Sequence, residues 1–191
     1  MLQFYIESNY FYLNCTEGAL FMLDKKVAEL LNAQVTQEFY SAYLYLDFSN
    51  YYAIESLDGF SNWYKVQVQE ERDHAMLMLQ YLLNSGEKVT LDTVKKPDKK
   101  LTKFEDPLHF GLEHERYVTS LINTIYAASN EAHDFRTMQF LDWFVKEQGE
   151  EEKNAEDLIK KYDLFGNDPK GLYMLDNELK TRVYAAPSLV L

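Results

Sequence analysis

Apolar residues recur along most of the chain at steps of three and four, which places them on one face of an α-helix. Four such stripes occupy residues 24–52, 60–85, 107–133 and 135–162, and the first of them contains neither Gly nor Pro. Helices of about 25–28 residues are each about 40 Å long at about 1.5 Å per residue. The pattern therefore predicts an all-α four-helix bundle.

The segments between the stripes predict how the helices are connected. A short loop at 55–59 requires the first two helices to be antiparallel. Residues 87–106 are rich in lysine, contain Pro97 and show no helical periodicity; they could reach about 66 Å at about 3.3 Å per residue. That reach allows a long crossover between helices two and three, which lays the third helix parallel to the second. A short fifth helix is predicted at 171–183, after a loop that contains Gly and Pro.

Ligand-type polar residues interrupt every stripe at positions that should face the core. They are Glu38 in the first helix, Gln67, Glu71 and His74 in the second, Glu115 in the third, and Gln148 and Glu151 in the fourth. A buried unpaired carboxylate costs several kcal/mol, and four carboxylates that face one another also repel. The pattern therefore predicts cations between the helices.

Counting residues from the loops places these carboxylates at matching heights. Glu38 lies about 21 Å from the end of its helix, and Glu71 lies about 18 Å from the start of the next. By the same count, Glu115 and Glu151 lie about 27 and 24 Å from the loop between the third and fourth helices. All four carboxylates are therefore expected to meet near the middle of the bundle.

Glu71 and His74 form a Glu-x-x-His motif, whose spacing puts both side chains on one face of a helix. Taken alone, His74 fits an ordinary core histidine, and Glu38 fits a misjudged helix phase. Four stripes interrupted at one level favour a dinuclear carboxylate metal site instead. Hard oxygen ligands with a single imidazole suit iron or manganese better than zinc.

Composition and charge narrow the range of partners. The chain has 31 acidic and 19 basic residues and a net charge of −12, so it lacks the basic surface that nucleic acids and anionic membranes require. No apolar run of about 18 residues occurs that would span a bilayer. The single cysteine, Cys15, excludes a disulfide framework and fits a reducing compartment, which predicts a cytoplasmic protein.

The first 21 residues are apolar and aromatic, but they do not match a secretion signal. The first basic residue is Lys25, so no basic region precedes the apolar stretch. Met22 resembles a second start position of the protein, and Asp24 is placed to cap the first helix. We therefore expect residues 1–21 to be an extension outside the fold and residues 22–191 to form one domain.

Four stretches of this sequence resemble bacterial non-haem ferritins. They are residues 30–45 (LLNAQVTQEFYSAYLY), 69–74 (QEERDH), 114–115 (HE) and 140–153 (FLDWFVKEQGEEEK). Residues 171–179 (GLYMLDNEL) are similar to the start of the family's short fifth helix. The resemblance extends over about residues 22–183 and implies a ferritin-like diiron domain for residues 22–191.

The resemblance implies a ferroxidase centre in which two irons lie between the helices and Glu71 bridges them. The other ligands of the first iron would be Glu38 and His74. Those of the second iron would be Glu115 and Glu151, with Gln148 nearby as a neutral ligand or a residue on the dioxygen side.

Further residues near this centre are implied by the same resemblance. Tyr45, about two turns after Glu38, is similar to the family's tyrosine beside the centre, although ordinary core packing also explains it. A third iron position would use Glu70, Glu147 and Glu150, which lie one helical step away from the core-facing stripes. A solvated acidic face is the alternative for these three glutamates.

Haem is not expected. Arg72 directly follows the bridging glutamate, where bacterioferritins carry their haem-ligating methionine. The fourth helix also lacks the second Glu-x-x-His motif of that sister family.

The activity implied by the resemblance is oxidation of Fe²⁺ to Fe³⁺ by O₂ or H₂O₂, followed by storage of the ferric mineral. Storage requires a cavity that a single bundle lacks, so it implies a homo-oligomer. The resemblance implies that this oligomer is a hollow shell of 24 subunits. One alternative is a non-storing diiron oxidase or oxygenase on the same bundle, with an apolar substrate channel and no fifth helix. A purely structural bundle would bind no iron.

Overall fold

Five α-helices account for most of residues 23–191, the part of the chain that this computed structural model describes. They are α1 (Lys25–Ile54), α2 (Asp58–Asn84), α3 (Asp106–Glu131), α4 (Phe135–Phe165) and α5 (Pro169–Leu179). No strand occurs in this range, and none of the helices is long and apolar enough to cross a membrane. The predicted all-α architecture is confirmed. The extension predicted at 1–21 lies outside the described residues.

Side chains at the helix starts satisfy the backbone N–H groups that have no partner inside a helix. The Asp24 carboxylate accepts hydrogen bonds from the backbone of residues 26 and 27. Asp134 caps α4 through the Thr137 N–H, and Asp168 caps α5 through the N–H of residue 171. Each such cap contributes about 1 kcal/mol. The starts of α1 and α4 lie within one residue of the predicted positions because their caps are local, whereas α5 begins two residues before its predicted start.

The crossover between α2 and α3 runs along α1, as the length of the segment predicts. Near its beginning, the Thr90 N–H donates to Asn32 in the first half of α1, at 2.8 Å. Near its end, the Tyr52 hydroxyl in the last turns of α1 donates to the carbonyl of Phe104, at 2.5 Å. Twenty helical residues separate these two contacts, about 30 Å. The third helix therefore starts at the same end of the bundle as the second.

The core consists of two apolar clusters separated by a layer of polar side chains. One cluster lies towards the start of α1, and its largest buried members include Leu31, Met78, Leu82, Ile122, Ile125, Leu141 and Phe144. The other lies towards the end of α1 and includes Leu44, Phe48, Tyr52, Phe60, Tyr64, Leu158 and Tyr162. Between them lie the four buried glutamates and their polar neighbours, which we call the polar layer.

The short helix α5 docks on the start of α2 through a buried carboxylate. Asp176 accepts from the backbone N–H groups of Gly59 and Phe60, at 2.7 and 3.2 Å. Leu175 and Leu179 add apolar contacts to the second cluster. The helix spans Pro169–Leu179 rather than the predicted 171–183.

Candidate metal centre

Three side chains of the polar layer converge on one point. Glu38 from α1 and Glu71 and His74 from α2 each place a ligand atom within 4.8 Å of the others. All three are at most 2% exposed. The Nδ1 atom of His74 lies 3.6 Å from Oε2 of Glu71, because the i, i+3 spacing puts both side chains on one face of α2. Among the described residues, this is the only such group of three.

The other two predicted glutamates approach the same layer from α3 and α4. Glu115 accepts a hydrogen bond from the Tyr45 hydroxyl and another from Gln148 Nε2, the latter at 3.2 Å. Glu151 accepts from Gln67 Nε2 at 2.9 Å. All five side chains are buried. The structure thus brings together in one layer the seven residues predicted to form the diiron centre and its surroundings, namely Glu38, Tyr45, Glu71, His74, Glu115, Gln148 and Glu151.

Burial and mutual repulsion disfavour the charged form of these carboxyls. Burial raises the pKa of Glu71 well above its ordinary value, and the charges of three neighbouring glutamates raise it further. Burial raises the pKa of Glu38 as well. The same cause raises the pKa of Glu115 to about 7 and that of Glu151 to about 8. Without cations the layer therefore holds protons, which a bound metal ion would displace.

Several polar atoms of the layer have no hydrogen-bond partner within residues 23–191. They are Oε2 of Glu38, Nε2 of His74 and Oε1 of Gln67. A buried unsatisfied polar group costs about 1–3 kcal/mol. Oε2 of Glu38 belongs to the Glu38–Glu71–His74 group, where coordination of a cation would satisfy it. The donor set therefore fits a metal ion that prefers oxygen with one imidazole nitrogen.

The three glutamates predicted for a third metal position lie outside the polar layer. Glu70 and Glu147 are partly buried, and Glu150 is exposed. Burial raises the pKa of Glu147, and the charges of Glu150 and Glu70 raise it further. Glu70 already has a cationic partner, because Arg182 Nη2 donates to its Oε2 at 2.7 Å. We call these three residues the rim carboxylates.

Sequence reasoning missed Gln34, and it placed Gln67 towards the core without recognising that it orients a carboxylate. Gln34 Nε2 donates to Oε1 of Glu38 at 2.9 Å, and Gln67 does the same for Glu151. Each glutamine lies four residues before a predicted ligand, which places it on the same face of the helix. This spacing could have identified both glutamines as donors from the sequence. Buried His114 contacts the Ser41 hydroxyl at 2.8 Å. Burial lowers the pKa of His114 to about 4, which keeps its ring neutral.

Comparison with known proteins assigns these helices to one family. The Ferritin family model, described as a ferritin-like domain, matches residues 28–165. A bacterial non-heme ferritin of Campylobacter jejuni is 36% identical over 159 residues, which cover 83% of this chain and 95% of that protein. This chain belongs to the bacterial non-haem ferritin family.

Other ferritins agree with this assignment. A bacterial non-heme ferritin of Staphylococcus epidermidis is 34% identical over 163 residues, covering 85% of this chain and 98% of that protein. An open pore ferritin from the hyperthermophilic archaeon Archaeoglobus fulgidus superposes with a TM-score of 0.82 at 40% identity, covering 84% of this chain and 98% of that one. The resemblance drawn from the sequence is confirmed, as is the ferritin-like bundle with its short C-terminal helix.

Proposed function

We propose that this ferritin stores iron and that each chain oxidises Fe²⁺ to Fe³⁺ at a diiron centre in the polar layer. One observation carries the proposal: Glu38, Glu71 and His74 are buried with ligand atoms within 4.8 Å of one another. The two further buried glutamates of the layer supply oxygen ligands for a second ion. The family's bacterial members and this Glu-Glu-His group together support iron storage with a ferroxidase centre.

The ligand roles in this proposal are those that the family resemblance implies. Glu38 and His74 would hold the first iron, and Glu71 would bridge the two irons. Glu115 and Glu151 would hold the second iron, with the Gln148 amide beside Glu115. Four carboxylates balance the charge of two Fe²⁺ ions and favour the harder Fe³⁺. Two Fe²⁺ ions would supply the two electrons that reduce O₂, with two protons, to H₂O₂, or H₂O₂ to water.

Tyr45 would act on the second iron through Glu115. Its hydroxyl donates to the Glu115 carboxylate. Burial raises the pKa of Tyr45 well above its ordinary value, and the charge of Glu115 raises it further. The phenol therefore stays protonated and orients Glu115.

An apolar surface on α1, α2 and the crossover supports assembly into a homo-oligomeric shell. It is formed by Phe39, Ala42, Tyr43, Leu46, Val68 and Val94 around a shallow depression of about 370 Å³. Tyr43 and Leu46 are 49% and 39% exposed, and such contiguous apolar area is typical of an interface. We propose that 24 copies enclose the storage cavity.

The size of the cavity beside the polar layer favours small substrates over an organic one. Its volume is about 20 Å³, and its lining includes Tyr45, Gln67, Gly111, Glu115 and Glu151. That volume holds about one water molecule, whereas sites for organic ligands measure about 300–1,000 Å³. The polar layer therefore accommodates metal ions and O₂ or H₂O₂ more readily than the substrate of an oxygenase.

Anaerobic loading followed by mixing with O₂ tests the proposal. Metal-free protein receives two Fe²⁺ per chain, and the near-ultraviolet absorbance of the ferric product is recorded after mixing. Wild type and the exposed-histidine control His109→Ala should show a fast phase, and His74→Ala should lose it. An oxidation rate in the wild type equal to that of Fe²⁺ in buffer would overturn the proposal. Light scattering should give a particle of about 540 kDa, the mass of 24 copies of the 22.5 kDa chain.

A further inference from the structure

The segment that follows α5 returns along the bundle. We call residues 180–191 the C-terminal arm. Asn62 on α2 donates its side-chain N–H to the carbonyl of Arg182 at 2.9 Å. Further along α2, the Tyr184 hydroxyl donates to the carboxylate of Asp73. The arm therefore follows α2 past the level of the polar layer.

Both tryptophans of the chain contact this arm. The Arg182 guanidinium lies 4.1 Å from the centre of the Trp63 ring, and its Nη1 donates to the Trp63 carbonyl at 3.2 Å. Trp143 on α4 donates its indole N–H to the Ser188 hydroxyl at 3.1 Å. The arm thus bridges α2 and α4, the two helices that carry the rim carboxylates.

Arg182 neutralises one of the rim carboxylates. Its Nη2 lies 2.7 Å from Oε2 of Glu70, and the two side chains are only 17% and 18% exposed. A guanidinium held at once by a carboxylate, a carbonyl and an aromatic face has little freedom to leave. The position next to Glu70 is therefore occupied by a positive charge that the chain itself provides.

Glu70 pairs with Arg182 and directly precedes a member of the polar layer in the sequence. It precedes the proposed bridging residue Glu71, and its charge raises the pKa of both Glu147 and Glu151. A metal ion held by the rim carboxylates would need the Glu70 oxygens, one of which Arg182 engages. A metal ion and the guanidinium would therefore compete for the same carboxylate.

We propose that the ion pair between Arg182 and Glu70 blocks a third metal position at the rim carboxylates. The C-terminal arm must release Glu70 before a third metal ion binds there. We call this ion pair the latch. This inference rests on the proposed function of the polar layer, which supplies the first two positions. Since coupling between two equilibria is reciprocal, occupation of the third position should in turn loosen the arm. Arg182 thereby determines how many ions each chain holds.

Titration of the metal-free protein with Zn²⁺, which undergoes no redox chemistry, tests the latch. Wild type should bind two ions per chain tightly and a third more weakly. In Arg182→Gln the third ion should bind up to about fivefold more tightly, the size of effect that loss of a competing ion pair produces. The control Lys161→Gln removes an equal charge from an exposed pair with Glu178 and should leave the third affinity unchanged. In Arg182→Gln with Glu70→Gln the gain should disappear.

Tryptophan fluorescence reports the arm independently of affinity. In the wild type, emission should change as the third equivalent of Zn²⁺ binds and not during the first two. In Arg182→Gln the emission should already differ before metal is added. If that variant fails to assemble, Arg182→Lys replaces it in the experiment. This variant keeps the charge but loses the planar guanidinium and its contact with the Trp63 ring. It should show a smaller gain in affinity for the third ion, in the same direction.

Equal third affinities in wild type and Arg182→Gln would overturn the latch, as would an equal gain in Lys161→Gln. An emission change completed within the first two equivalents would overturn the coupling between the arm and the third ion. Failure of the wild type to bind two ions tightly would instead contradict the proposed function of the polar layer. The two failures are therefore distinguishable.

Discussion

Glu71 lies where the repulsion within the polar layer is greatest. The charges of Glu38, Glu115 and Glu151 all raise its pKa, in addition to the effect of burial. The carboxylates that repel Glu71 come from the three other helices. This central position agrees with the bridging role that the family resemblance implies for Glu71.

Glu71→Ala is expected to slow iron oxidation more than Glu38→Ala or Glu151→Ala, because it removes a ligand from both irons. Loss of a group that acts on the reacting centre typically costs about 10²-fold or more in rate. Stopped-flow absorbance after mixing Fe²⁺-loaded protein with O₂ measures the difference. Glu113→Ala, on the exposed face of α3, should oxidise iron at the wild-type rate. An equal loss in all three ligand variants would contradict a unique bridge.

The raised pKa values make the stability of the metal-free protein depend on pH. In the unfolded chain these glutamates ionise near pH 4.3, whereas in the fold burial raises the pKa of Glu115 to about 7 and that of Glu151 to about 8. Their protonated forms stabilise the fold fully below about pH 4.3, and that stabilisation is lost as the pH rises to about 8. Metal-free protein should therefore unfold at a lower temperature at pH 8 than at pH 5.5.

Bound metal should reverse this dependence, since it replaces the protons. The increase in Tm on Zn²⁺ binding is expected to be larger at pH 8 than at pH 5.5, as differential scanning calorimetry can show. Glu113→Gln, which removes an exposed carboxylate, serves as the control and should leave the slope unchanged. A metal-free Tm that is the same at both pH values would show that the layer does not retain its protons.

At the scale of the helices, the sequence predicts the features that depend on the period of its apolar residues. The stripes give the phase of each helix, so interruptions such as Glu38 and Glu151 are enough to locate the polar layer. The C-terminal arm has no stripe, and Arg182 meets Glu70 across 112 positions of sequence, so nothing local predicts that pair. The predicted end of α5 is wrong for the same reason. The chain leaves the helix after Leu179, whose carbonyl accepts from Asn62 on α2.

Gly59 permits the close approach of α5 to α2. A Cβ atom at this position would lie 1.7 Å from the carbonyl oxygen of Asp176. Gly59→Ala should therefore displace α5 and lose the hydrogen bonds to Asp176, which costs about 2 kcal/mol or more and lowers Tm by about 4–8 °C. Thermal unfolding of the metal-free protein measures the change.

Gly149 provides the matched control. It lies on the exposed face of α4, where an added Cβ would have no atom within 4 Å. Alanine in a helix interior is more stable than glycine by about 0.5–1 kcal/mol, so Gly149→Ala should raise Tm slightly. A Tm for Gly59→Ala at or above that of the wild type would show that α5 tolerates a shift without loss.

At the scale of the whole molecule, the proposed function requires iron to move from two buried positions to a store outside the bundle. The rim carboxylates lie on α2 and α4, and the C-terminal arm contacts both of these helices. Glu70 and Glu147 are more exposed than the layer itself, so ions there are held more weakly and exchange faster. We propose that this rim is the exit from the diiron centre.

The triple variant Glu70→Gln, Glu147→Gln, Glu150→Gln replaces all three rim carboxylates. It tests whether iron leaves the diiron centre through this rim. The first fast oxidation should persist, because the polar layer is intact, whereas the ratio of Fe²⁺ oxidised to O₂ consumed and the rate of later turnovers should change. A companion variant with only Glu147→Gln and Glu150→Gln keeps the Arg182–Glu70 pair, so it separates loss of the rim from release of the arm. Oxygen-electrode measurements with the fast phase recorded separately give both quantities. Loss of the fast phase would show that these glutamates belong to the primary centre. No change in either quantity would show that they form only a solvated acidic face.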